Sequence, residues 1–283
     1  MLIAIFSAVS LTAAALICAA VGAFSGLAFL WVLPVSFVGG FLLLAALWYM
    51  LIQIMAKSVD MEKEQENDSK LYRGVIRLTI AALLPALGVR VHTQGFEQSL
   101  PKGRFLLVCN HLHDIDPAIL LRYFPNNQLA FIAKREVQQM ALVGPFFKKT
   151  LGQFVNREND REALKCILSC IRLINEDKAS IAVFPEGYVS LDRLLHPLRP
   201  GVFKIAQKAK VPIVVCTLRD THLALGTVKK LQGADIHLHL VGVIAAEELE
   251  KVTTVEIAQR VHGMMARDLG PDLVLSAENT ENT

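Results

Sequence analysis

The chain has 283 residues, 53% of them hydrophobic, a formal net charge of +3 and a mean hydropathy of +0.42. So weak a positive charge, with no long basic run, excludes a protein that holds nucleic acid through its backbone. Five cysteines (Cys18, Cys109, Cys166, Cys170 and Cys216) keep no framework spacing. Cys166 and Cys170, one helical turn apart, have no further ligand beside them, so we expect buried thiols in a reducing compartment and no metal.

The hydropathy is concentrated at one end. Residues 1–56 contain no Asp, Glu, Lys or Arg. That is room for two bilayer passes of about 20 residues each. We place them at Leu2–Val21 and Phe29–Met55, with a turn at Ala23-Phe24-Ser25-Gly26 and Trp31, Trp48 and Tyr49 as interface anchors. A cleaved signal peptide is the competing reading, but a basic n-region is lacking and a second apolar segment follows at once. Lys57, Lys63, Lys70, Arg73 and Arg77 come after the second pass. Residues 1–56 are therefore expected to form a transmembrane helical hairpin with the rest of the chain on the cytoplasmic side. Residues 57–88 read as a charged linker followed by an amphipathic helix over Leu71–Leu87. That helix either lies in the membrane interface with Arg73 and Arg77 near phosphates or packs on the soluble core.

From Val89 the pattern alternates. Strands are expected at Val89–His92, Arg104–Cys109, Leu129–Ala133, Gln153–Val155, Ser180–Phe184, Pro212–Cys216 and Ile236–Ile244. Helices are expected at Pro117–Tyr123, Arg135–Met140, Asp160–Asn175, Gly201–Ala209 and Thr254–Leu269. The fold class is α/β, a sheet flanked by helices, over residues 89–275. Residues 276–283 are a polar tail expected to be disordered. His237 and His239 alternate along one strand and so share a face, which reads as a strand surface rather than a metal site.

Two motifs sit where strands end. After the apolar run Phe105–Cys109 comes Asn110-His111-Leu112-His113-Asp114-Ile115-Asp116. A neutral histidine can take a proton from a hydroxyl, and a carboxylate behind its other nitrogen fixes the tautomer. His111 and Asp116 suit that dyad because the chain turns from strand to helix between them. Asp114 is the runner-up acid, and His113 reads as a neighbour that shapes the loop. After Ser180–Val183 comes Phe184-Pro185-Glu186-Gly187. There Glu186 could bind a substrate hydroxyl and the Gly187 N–H an oxyanion, although a plain Pro-Glu-Gly turn is the bland alternative. Lys134 and Arg157, each near a strand end, are cations suited to a phosphate.

The order His-x4-Asp, Lys134-x-Glu136, Val155-Asn156-Arg157, Phe184-Pro185-Glu186-Gly187 and Val211-Pro212-Ile213-Val214 resembles the glycerolphosphate acyltransferase family, in particular the 1-acylglycerol-3-phosphate acyltransferases. The resemblance covers roughly Val89 to Val243. It implies a mixed sheet with flanking helices beside a membrane-binding helical element. It also implies transfer of a fatty acyl chain from acyl-CoA or acyl carrier protein to a lysophosphatidic acid or related lysolipid. By it His111 is the general base and Asp116 its partner. Lys134 and Arg157 then fall where the acceptor's phosphate binds, and Glu186 and Gly187 in the acceptor-binding block. No cofactor beyond the acyl donor, no metal and no nucleic acid are implied. The place would be a bacterial cell membrane, with membrane phospholipid as partner and product. Departures fall on the acceptor side: Tyr188-Val189-Ser190 stands where Thr-Arg-Ser is common, His113 where serine is typical, and Val215 where a second proline is frequent. Arg193 and Arg199 are the nearby substitutes for the missing arginine. Other readings are a CoA-independent phospholipid transacylase and a catalytically inactive lipid-binding membrane protein. A lipid hydrolase is disfavoured because no Gly-x-Ser-x-Gly elbow is present.

Overall fold

Residues 1–97, 100–156, 159–224 and 233–275 are described in the structure, a computed structural model. The expected tail and Arg157 lie outside those residues.

Two apolar helices, α1 (Leu2–Ala20) and α2 (Phe29–Lys57), pack against each other and are long and apolar enough to cross a membrane. Close approach is possible because Gly40 faces Ser10: a Cβ at Gly40 would stand 3.3 Å from the serine Oγ. Phe6 adds edge contacts to Phe41 and Trp48. The C-terminal end of α2 is fastened to the rest of the chain by a small core of Met55, Ala56, Val59, Tyr72, Val75 and Phe146. Trp48 Nε1 also donates to Thr79 Oγ1 at 3.1 Å.

Tyr72, Val75 and Thr79 lie on α3 (Lys70–Ala86), whose arginines turn inward. Arg73 is buried, forks onto Asp68 and donates to the carbonyls of Leu129 and Thr150; Arg77 donates to the carbonyl of Asn127. Of the two expectations for this helix, the inward-packed one describes Arg73 and Arg77; neither is aimed at a lipid phosphate. A buried guanidinium with a carboxylate and carbonyls is a structural rivet.

The seven strands are β1 (Val89–Gln94), β2 (Leu106–Cys109), β3 (Leu129–Lys134), β4 (Gln153–Val155), β5 (Ser180–Val183), β6 (Ile213–Arg219) and β7 (Ala234–Ile244). They form one mixed sheet in the order β1-β7-β6-β2-β5-β3-β4. The block β6-β2-β5-β3-β4 is parallel; β7 runs antiparallel to β6 and carries β1 parallel to itself. Central β2 and β5 are buried at every position, as strands covered on both faces must be. Edgeward β7 alternates buried and half-buried residues.

One face is covered by α6 (Asp160–Asn175), α7 (Lys204–Ala209) and α8 (Thr254–Leu269) over a core that includes Leu106, Val108, Ile181 and Val215. The other lies under α3 and α4 (Asp116–Tyr123), with Leu107, Cys109, Val214 and Ile236 inside. Sequence caps set two of these helices. Asn159 accepts from the N–H groups of Arg161 and Glu162 to open α6, and Thr253 with Glu256 forms a capping box on α8. A further helix, α5 (Val143–Lys149), follows the 3₁₀ turn Arg135–Gln139 and was not expected. Its Pro145 lies in the first helical turn, where proline is tolerated.

Candidate active site

Parallel neighbours β6, β2, β5 and β3 send their carboxyl ends to one edge of the sheet, the place where open α/β sheets bind ligands. The loop after β2 is anchored first. Buried Asn110 donates Nδ2–H to the carbonyl of Leu218 (2.9 Å) and accepts from the Leu218 N–H (2.7 Å), tying it to β6.

His111 and Asp116 come together as the strand-to-helix turn requires, with Nδ1 2.9 Å from Oδ2. The same oxygen accepts the N–H groups of Leu112 (2.7 Å) and His113 (2.9 Å). Asp116 is 0% exposed. Three donors on one buried oxygen hold the carboxylate still, and a carboxylate at Nδ1 assigns the proton there, leaving the Nε2 lone pair to act as base. The imidazole lies flat on the Phe184 ring, centroids 4.1 Å apart at 17°, and Phe184 lies in turn on Phe131. Two constraints thus fix the ring, one at its edge and one on its face.

Glu186 is 1% exposed. Its Oε1 accepts the His111 N–H (2.9 Å) and its Oε2 the His196 N–H (3.1 Å). Both oxygens are therefore engaged by backbone, behind the histidine rather than open to a substrate hydroxyl. Burial pushes its carboxyl up to about 7, opposed by those two N–H bonds and by the nearby histidines. The Gly187 N–H donates to the carbonyl of Phe184 (3.0 Å), so in this structure it closes a turn and is not presented to an oxyanion. With φ at 88°, and a Cβ there standing 2.6 Å from Arg199 Nε, position 187 is restricted to glycine.

The other expected residues distribute as follows. Lys134 is exposed at the end of β3, in register with Val155 of β4, and so stands on the same edge as His111. Arg157, two residues beyond Val155, lies outside the described residues. Asp114 is exposed on the loop, and His113 Nδ1 accepts the Ile115 N–H, shaping the turn. Cys109 is fully buried and burial drives its thiol well above the ordinary range, so the sulfur beside the motif is no nucleophile.

Sequence reasoning passed over Phe184 as a platform and the Asp192–His196 pair in the loop that follows Gly187. In that loop His196 Nε2 meets Asp192 (2.9 Å), Ser190 Oγ donates to Asp192 (2.8 Å), and the Ser190 N–H donates to the His111 carbonyl (2.7 Å). The four-residue spacing of Asp192 and His196 was the available signal. On the outer strand β7 His237 and His239 do share a face, where His237 stacks on His92 and His239 meets Asp268.

The Acyltransferase family model matches residues 89–219. A probable 1-acyl-sn-glycerol-3-phosphate acyltransferase of Mycoplasma pneumoniae is 31% identical over 187 residues, 65% of this chain and 69% of that protein. The 1-acyl-sn-glycerol-3-phosphate acyltransferase of Saccharomyces cerevisiae is 28% identical, covering 65% and 61%. That of Limnanthes douglasii is 31% identical over 48% of each chain, so against the plant relative the match spans about half the length. Among solved structures, the 1-acyl-sn-glycerophosphate (LPA) acyltransferase PlsC from Thermotoga maritima superposes with a TM-score of 0.58 at 18% identity, over 84% of this chain and 90% of that one. The mixed sheet with flanking helices is the fold of that protein.

Proposed function

This chain belongs to the glycerolphosphate acyltransferase family and is an acyltransferase; we propose that it moves a fatty acyl group from acyl-CoA or acyl carrier protein to the free hydroxyl of lysophosphatidic acid or a closely related lysolipid. The observation that carries this reading is the His111–Asp116 pair: an imidazole whose Nδ1 is held by a buried carboxylate and whose Nε2 is left at the carboxyl edge of the sheet, while the hydroxyl of neighbouring Ser190 is turned to Asp192 and the Leu194 carbonyl and the Cys109 thiol is buried.

The acceptor hydroxyl gives its proton to Nε2 as its oxygen attacks the thioester carbonyl. The new C–O bond forms, the C–S bond of the tetrahedral intermediate breaks, and the imidazolium returns the proton to the departing thiolate. Asp116 stabilises the imidazolium in between. No acyl-enzyme intervenes. Lys134 and Arg157 hold the acceptor's phosphate. Helices α1 and α2 seat the enzyme in the membrane that contains its acceptor and product, with both chain ends on the cytoplasmic side where the donors are.

The test is transfer of labelled acyl groups from acyl-CoA to a panel of lysolipids by the purified chain, products being separated by chromatography. Phosphatidic acid formed only when acyl-CoA is added, with no hydroxylamine-labile label left on the protein, is the expected result. Transfer without a thioester donor would instead make the protein a transacylase. A reporter fused after Thr283 that scores as exported would overturn the orientation.

A further inference from the structure

Both backbone polar groups of His111 end on a single segment of the chain. Its N–H donates to Glu186 Oε1 at 2.9 Å, and its carbonyl accepts the Ser190 N–H at 2.7 Å. A path of hydrogen bonds joins those two partners without leaving residues 186–196. Glu186 Oε2 accepts the His196 N–H (3.1 Å), His196 Nε2 lies 2.9 Å from each oxygen of Asp192, and Asp192 Oδ1 accepts from Ser190 Oγ (2.8 Å). The circuit closes on the residue whose imidazole is the base. Its two halves are held unequally. Leu195 is 1% exposed, donates to the Leu273 carbonyl (2.8 Å) and accepts from the Leu275 N–H (3.1 Å), so His196 stands on a fixed post. The outer half carries Leu191, 91% exposed, and Arg193 at φ 68°, a left-handed conformation that an L residue keeps only where its surroundings over-determine it. Asp192 fastens that half to the post. Besides the His196 ring and the Ser190 hydroxyl, which also reaches the Leu194 carbonyl (2.6 Å), it accepts the Leu194 N–H (3.1 Å). The Tyr188 ring meets the His196 imidazole edge to face, centroids 5.5 Å apart.

We propose that His196 is a positioning residue for the His111 base, acting through Asp192 and Ser190 on the His111 carbonyl and through Glu186 on its N–H, a claim that rests on the acyl-transfer reading of His111. Asp116 and Phe184 fix how the ring is turned. Where Nε2 stands also depends on the backbone that carries the ring, and the clasp holds that backbone at both of its polar groups. A carboxylate facing His196 Nε2 assigns the proton to that nitrogen, so the imidazole donates and the link to Asp192 is a directed bond. Misplacing reacting atoms by about 1 Å can cost on the order of 10²-fold in rate. Opening one link of a closed circuit moves them less, and a loss of about tenfold is the expected scale.

The experiment uses the full chain in detergent micelles, unmodified and as His196→Ala, His196→Gln, His111→Ala and the His111→Ala/His196→Ala double variant. Steady-state transfer from acyl-CoA to lysophosphatidic acid gives kcat and both KM values. Amide deuterium exchange, localised to single residues by fragmentation in the mass spectrometer, follows the His111 and Ser190 N–H groups. His196→Ala should lower kcat about tenfold and leave both KM values unchanged. Exchange at His111 and Ser190 should quicken about tenfold, while the Leu112 and His113 amides, held by Asp116, keep their rates. Gln places an amide donor where Nε2 meets Asp192, so His196→Gln should recover most of both losses. With His111 already replaced, no base remains to be placed, and adding His196→Ala should leave the residual rate as it was. If His196→Ala disturbs folding, Asp192→Ala at a 47% exposed side chain opens the same link and is read in the same way. Unchanged exchange at His111, or faster exchange with kcat intact, overturns the assignment. So does a rise in acceptor KM at constant kcat, which would make the segment part of acceptor binding. Absence of acyl transfer by the unmodified chain, with His196-dependent exchange at His111 present, would overturn the proposed reaction and leave the clasp standing.

Discussion

The central and the outer strands of the sheet each carry a histidine against a carboxylate, and the two pairs are nearly equal in length. At the catalytic edge His111 Nδ1 lies 2.9 Å from Asp116; on the outer strands His92 Nε2 lies 2.8 Å from Asp235. What differs is the surroundings. Asp116 is sealed under its loop with two further backbone donors, and His111 is pinned face-on by Phe184. Asp235 is 46% exposed, shares itself between His92 and the fork of Arg90, and is held well below the ordinary carboxylate range by them. Contact alone does not make a base. On the proposed reading, burial of the acid and restraint of the ring are what suit His111 to that role, because they fix one tautomer in one orientation at a ligand-binding edge.

The comparison is broken most directly by deleting the two imidazoles in turn. His111→Ala should cost roughly 10²–10⁴-fold in kcat, the range of a positioned base, whereas His92→Ala should stay near the unmodified rate. Similar losses at both would mean that pairing, and not environment, is what counts. Asp116→Asn keeps the shape but lets the amide offer N–H where three donors converge, so kcat should fall by at least about 10²-fold with the acyl-donor KM little changed.

Glu186 sharpens the contrast between buried and exposed carboxylates. Its folded value of about 7 stands above the unfolded 4.5, so between those pH values the folded protein binds more protons. Stability from this group is therefore greatest below about pH 4.5 and falls as pH rises to about 7. Relative to Glu186→Gln, which cannot ionise, the unmodified chain should lose up to about 3 kcal/mol across that window in thermal melts. A constant difference between the two would show that the carboxyl is not buried as described.

Lys134→Ala should raise the KM of a phosphate-bearing acceptor about tenfold and leave the donor's KM alone, as measured by steady-state transfer. The smallest effect is expected at the outer pair: Asp235→Asn should move the melting temperature by no more than about 2 °C, being a solvated ion pair.

Much of this molecule could be read from local pattern. The charge-free stretch set the two apolar helices to within a residue or two of Leu2–Ala20 and Phe29–Lys57. Gln153–Val155, Asp160–Asn175 and Thr254–Leu269 fall where their alternation, period and caps placed them. His111 and Asp116 are five residues apart across one turn, and such a pairing is a property of the turn itself. Val143–Lys149, for which no element is expected, forms α5.

What the chain's own order could not decide is everything carried by contacts between distant segments. Glu186 reaches the His111 N–H across 75 residues, Asn110 reaches Leu218 across 108, and Arg73 reaches the Leu129 carbonyl across 56. Glu186 and Arg73 can each be read as ligand-facing on their own segments, and both, like Asn110, are turned inward. The reason is that a folded core cannot leave backbone donors and acceptors dry, so side chains near strand ends are recruited to satisfy loops that only the assembled sheet brings beside them. Sequence alone determined the apolar hairpin, the α/β alternation and the His–Asp turn; tertiary structure decided which of the remaining polar residues hold the site together and which are left facing whatever binds there.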